Sequence, residues 1–86
     1  MYIIRMPTVL RVKNLLFIVH TREHGHPHVT VYLGTPESYE AFAKVNLKTA
    51  EVFEAEGFSY RSLKGIEQTV RRHSADWMEV WNEYQK

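Results

Sequence analysis

Within nine residues, Glu23-His24-Gly25-His26-Pro27-His28-Val29-Thr30-Val31, the chain sets three histidines around a glycine and a proline, then enters an alternating apolar segment. Histidine takes or gives a proton near neutral pH without tuning, and it is also a common metal ligand. Two chemistries follow from these residue types. In the first, His24 and His28 share base and acid work in a metal-independent cleavage of RNA through its 2′-hydroxyl. Each such proton transfer contributes about 10²–10⁴-fold. Arg22 is the candidate third catalytic residue, a cation for the phosphate, with Arg11 and Lys13 as further phosphate binders from the neighbouring hairpin strand. In the second chemistry, His24, His26 and His28 use their period-2 spacing to share one strand face. Three imidazoles would then form an open zinc site, with His20 and Glu23 as further ligand types. Gly25 and Pro27 interrupt a regular strand at that point, so the expectation is no resident metal and no cofactor. The histidines also have plain structural uses. His28 can hydrogen-bond and pack across strands, and Gly25 can hold a turn at positive φ.

The elements that must position these residues are readable from periodicity. Thr8 to Lys13 alternates, with Leu10 and Val12 on one face and Arg11 and Lys13 on the other, as in a half-buried strand. Asn14 marks a turn. Leu15 to His20 is apolar without a break and reads as a central strand paired with the first. Thr21 to Pro27 is a loop. His28 to Leu33 is a third strand, with Val29 and Val31 opposite His28, Thr30 and Tyr32. Gly34-Thr35-Pro36-Glu37 turns the chain into a fourth strand, Tyr39 to Leu47. Residues 48–56 admit a fifth strand, Val52 to Ala55, or a helix ended by Gly57; the reading favours the strand.

The last third is helical. Ser59 is an N-cap, followed by the apolar stripe Leu63, Ile66 and Val70. Ser74 reads as the cap of a second helix, with Asp76 in its first turn and Trp77, Trp81 and Tyr84 on its buried face. His73 would then end the first helix. The expected fold is α+β: a small antiparallel sheet of four or five strands, then two C-terminal helices packed on one face.

Bulk composition narrows the functional classes. Eighty-six residues make a single domain, residues 1–86. Hydrophobic residues are 44% and charged residues 24%, a globular balance rather than a disordered one. The absence of cysteine excludes disulfides, thiolate metal sites and a cysteine nucleophile, and suits a cytoplasmic chain. No apolar run approaches the roughly 18 residues that span a membrane. Net charge is +1, too balanced to argue for nucleic acid by itself. The distribution is uneven, since Arg5, Arg11, Lys13 and Arg22 precede the first acidic residue, Glu23. Arg61, Lys64, Arg71 and Arg72 lie off the apolar stripe of the helix. They form either its ordinary solvated face or a surface for nucleic-acid phosphates or an acidic partner.

Several segments taken together resemble a bacterial family of unknown function, DUF4160. They are Met6-Pro7-Thr8-Val9, Arg22-Glu23-His24-Gly25 with Pro27-His28-Val29, Gly57-Phe58-Ser59 and Trp81-Asn82-Glu83-Tyr84. The resemblance covers roughly residues 6 to 85. The family pattern continues as His-Val-His-Val, whereas Thr30 stands here in place of the last histidine, which leaves His24 and His28. The resemblance implies a small cognate protein partner, DUF2442-like, in an arrangement similar to a toxin–antitoxin pair. On this reading the chain is a component of such a module, expected to be the toxin and a histidine-dependent ribonuclease. The alternative is a non-enzymatic, antitoxin-like or regulatory module that binds protein or nucleic acid.

Overall fold

A computed structural model describes residues 7–20 and 25–84. Five strands, β1 (Thr8–Val12), β2 (Leu15–Ile18), β3 (His28–Thr35), β4 (Ser38–Asn46) and β5 (Val52–Glu56), precede one helix, α1 (Tyr60–Tyr84). The strands form one antiparallel sheet in sequence order, β1-β2-β3-β4-β5. Each strand pairs with its chain neighbour, so every connection is a hairpin. Val12 pairs with Leu15 and leaves Lys13-Asn14 as a two-residue turn. Thr35 pairs with Ser38 around Pro36-Glu37.

The unbroken apolar run behaves as its composition requires. Leu16, Phe17 and Ile18 are all at most 5% exposed, so β2 is buried on both faces. The strand ends earlier than the run does. Val19 lies beyond it, fully buried, with its N–H donating to the carbonyl of Pro7. Residues 48–56 resolve in favour of the fifth strand. Asn46 organises the reversal: its side-chain oxygen accepts the N–H groups of Lys48 and Thr49 at 2.7 and 3.1 Å, and its carbonyl accepts that of Ala50. These bonds close an Asx-type turn that propensity alone does not distinguish from the start of a helix. Gly57 then carries the chain from the sheet to the helix at φ 89°. Its backbone lies so close to β4 that a Cβ would stand 2.8 Å from the Ala41 side chain.

Two helices were expected, and there is one helix of 25 residues. Ser59 does cap its start, accepting the N–H of Ser62 at 3.1 Å on its side-chain oxygen. Ser74 caps nothing. Its hydroxyl donates back to the carbonyl of Arg71 at 3.2 Å, the usual arrangement for serine inside a helix. His73, expected at a helix end, sits mid-helix and stacks on Trp77 with ring centroids 4.8 Å apart and planes within 8°. The physical reason is phase. Leu63, Ile66, Val70, Trp77 and Trp81 keep one stripe across the serine, and no glycine or proline intervenes between Val70 and Trp81 to shift it.

That stripe sits on the sheet. Ile66, Val70, Trp77 and Trp81 share one core with Phe17, Val19, Val29, Val31, Val45 and Leu47. Phe17 and Trp77 meet with centroids 5.4 Å apart. The two serines give a direct check on helix continuity. Ser59→Ala should cost about 1 kcal/mol in urea denaturation, because it orphans an N-terminal N–H group. Ser74→Ala should change stability by less than about 0.5 kcal/mol, as for a surface position with no cap to lose.

Candidate functional site

The histidine segment enters the sheet at Pro27, whose carbonyl accepts the N–H of Leu47 at 2.9 Å. Proline lacks a donor and therefore suits the first position of a strand. His28 follows it and is 6% exposed, while His26 stays exposed. The Nδ1 of His28 lies 3.0 Å from the carbonyl oxygen of His26. A carbonyl only accepts, so Nδ1 carries the proton in this bond, and the lone pair of the neutral ring is on Nε2.

Aromatic rings from three elements surround His28. Trp81 of α1 lies 5.1 Å away, Phe53 of β5 lies 5.7 Å away and edge-on, and the His26 ring lies 5.8 Å away. His26 also meets Phe53 edge-on at 4.5 Å. Phe53 owes its place to an irregularity in β5. Val45 pairs with Val52 and Lys44 with Glu54, so Phe53 is an extra residue on its strand, and a bulge re-aims a side chain in this way. Phe53 was not foreseen as a partner of the histidines, because no sequence signal marks the bulge. Trp81 was foreseen as core but not as the wall behind His28.

Of the three catalytic candidates, His28 alone is placed. His24 and Arg22 lie outside the described residues. Among the described residues, no three His, Cys, Asp or Glu side chains come together as a metal site. His20, a further ligand candidate, shares a hydrogen bond of 2.9 Å between its Nε2 and the Tyr32 hydroxyl.

The basic candidates fall into two groups. Arg11 on β1 and Lys13 in the following turn are both exposed. Arg61, Lys64, Arg71 and Arg72 are exposed on the outer side of α1. Lys64 is already engaged, with Glu67 at 3.4 Å and the Tyr60 ring at 5.2 Å, and its pKa is raised chiefly by the Glu67 hydrogen bond. Arg61, Arg71 and Arg72 are the more available cations. The outer side turns acidic further along, at Asp76, Glu79 and Glu83, all exposed.

A family model, described as a domain of unknown function (DUF4160), matches residues 14–82. The chain belongs to the DUF4160 family. The match takes in the histidine segment, β5 and nearly the whole of α1. No curated protein and no solved structure matches the chain. In this DUF4160 chain the helix is also tied to the sheet edge by a carboxylate. Glu67 accepts the backbone N–H of Val52 at 2.9 Å, and that bond, with the Lys64 and Arg71 charges, holds its pKa below the ordinary carboxylate value against an opposing cost of burial.

A carboxylate whose folded pKa is depressed stabilises the fold fully above its unfolded pKa, about 4.3, and loses that contribution as pH falls through the folded value. The melting temperature of the wild type should therefore fall more steeply below pH 4.5 than that of Glu67→Gln. Parallel curves for the two proteins would show that this bond does not couple folding to pH.

Proposed function

We propose that this DUF4160 chain is the RNA-binding component of a small bacterial, toxin–antitoxin-like module, paired with a DUF2442-like partner in the cytoplasm and acting by binding rather than by cleavage. The observation that carries the reading is the order of charge along α1. A helix is stabilised by acidic side chains in its first turn and basic ones in its last, by about 0.3–1 kcal/mol each. Here the first turn has no acidic residue and the last turn no basic one. Arg61, Lys64, Arg71 and Arg72 occupy the first half instead, and Asp76, Glu79 and Glu83 the second. Opposing the dipole at both ends costs the helix a little stability, and this supports a use for the face beyond solvation. A basic half-helix with Lys13 near its start gives a run of cations for phosphates, while the acidic half suits a basic partner. No helix among the described residues is long and apolar enough to cross a membrane.

The test is binding of a 20-nucleotide single-stranded RNA over a salt series. Arg71→Gln/Arg72→Gln should bind at least tenfold more weakly, and the slope of log K against log salt should become shallower by about 1.4, roughly 0.7 for each cation removed from a single strand. Unchanged affinity and slope in a folded double variant would overturn the reading.

A histidine-dependent ribonuclease toxin is the second reading, favoured by one observation. The His26 carbonyl sets the tautomer of His28 and puts its basic lone pair on Nε2. Against it stands the low exposure of the ring. His28→Asn keeps an N–H donor for the His26 carbonyl and removes the titratable nitrogen. On the toxin reading, bacteria expressing wild type arrest growth, those expressing His24→Ala or His28→Asn do not, and the partner relieves the arrest. On the binding reading, His28→Asn leaves RNA affinity unchanged.

A further inference from the structure

Between the β1–β2 turn and the first half of α1 lies a cavity of about 560 Å³. Its walls are Leu15, Phe17, Leu33, Phe58 and Ile66. Sites for small organic ligands have this size and character, about 300–1,000 Å³, mostly apolar, with a few convergent polar groups. Lys13, Ser59 and Ser62 supply polar groups here, and no carboxylate of the described residues lines the cavity.

Two residues line it at a conformational cost. Gly65 stands inside α1, where glycine is less stable than alanine. Close packing does not account for it, since a Cβ at Gly65 would meet nothing within 4 Å. What its missing side chain leaves is room in the cavity. Lys13 holds φ at 54°, a conformation that glycine adopts far more readily, yet the position carries an ammonium side chain. The start of α1 adds charge of the same sign, because no acidic residue offsets its dipole there. Apolar walls, one cation and a helix start without an acidic residue are complementary to an apolar chain ending in an anion.

We propose that this cavity binds an amphipathic monocarboxylate, with its aliphatic or aryl body among Leu15, Phe17, Leu33 and Ile66 and its carboxylate at Lys13 and the start of α1. The cavity shares Lys13 with the proposed run of cations but is not lined by Arg71 or Arg72, so Arg71→Gln/Arg72→Gln tests RNA binding without altering it, and the decanoate titration tests the cavity without RNA.

The test is titration of the isotope-labelled full chain with decanoate, and separately with 1-decanol, followed by amide chemical shifts. Decanoate should shift resonances of residues 12–17 and 57–69 and bind at least tenfold more tightly than 1-decanol. Lys13→Gly, which relieves the positive φ, should abolish that preference. Gly65→Leu should weaken both ligands at least tenfold by filling the open space. The proposal is overturned if neither ligand binds at millimolar concentration, if the shifts lie elsewhere, or if wild type binds the two equally. Unchanged decanoate binding by Lys13→Gly overturns it too, and that variant decides the matter should Gly65→Leu fail to fold.

Discussion

The structure depends on one contact: a single apolar stripe on α1 laid across the valine-rich face of the sheet. Ile66, Val70, Trp77 and Trp81 on one side, and Phe17, Val29, Val31 and Val45 on the other, are all nearly inaccessible to solvent. A chain of 86 residues has few other places to gain burial, since small domains hide only about 60–65% of the surface that their unfolded chains expose. Each large side chain in that layer contributes about 1.5–3 kcal/mol, and a tilted aromatic pair such as Phe17–Trp77 adds about 0.5–1.5 kcal/mol. Any interruption of the stripe near Ser74 would divide the layer, which is why the helix runs through.

A continuous helix has a geometric consequence. At about 1.5 Å per residue it is about 37 Å long, whereas the longest strand, nine residues in β4, spans about 30 Å. The helix therefore reaches different surroundings at its two ends. Near its start it faces the β1–β2 turn, Lys13 and the cavity that Gly65 leaves open. Near its end Trp81 backs onto His28, which Phe53 and His26 meet from β5 and the entering loop. The histidine segment thus serves the fold before any chemistry. His28 joins strand, edge and helix, and its Nδ1 proton is committed to the His26 carbonyl.

Charge follows a different logic from packing. The helix carries its cations where its dipole is already positive and its carboxylates where it is negative. Packing tolerates this because the core layer, not the helix's own electrostatics, supplies most of its stability. Glu67 is the exception, an acidic residue in the basic half. Its role is structural, satisfying the Val52 N–H and drawing in Lys64.

By itself the sequence determined strands β1 to β4, the hairpin at Asn14, the cap at Ser59 and the inward tryptophans. These follow from local rules: alternation with period 2, an apolar run of five, a serine ahead of an apolar stripe. The tertiary structure alone decided three things. Ser74 lies inside a helix, because capping potential yields to a stripe whose phase is unbroken. Residues 48–56 turn into a strand, because Asn46 and the β4 edge offer hydrogen bonds that a local helix would forgo. The candidate site draws on Phe53 and Trp81, which lie 25 and 53 residues beyond His28 in the sequence. A bulge and a helix end bring those rings together through space, and neither leaves a mark in the local order of residues.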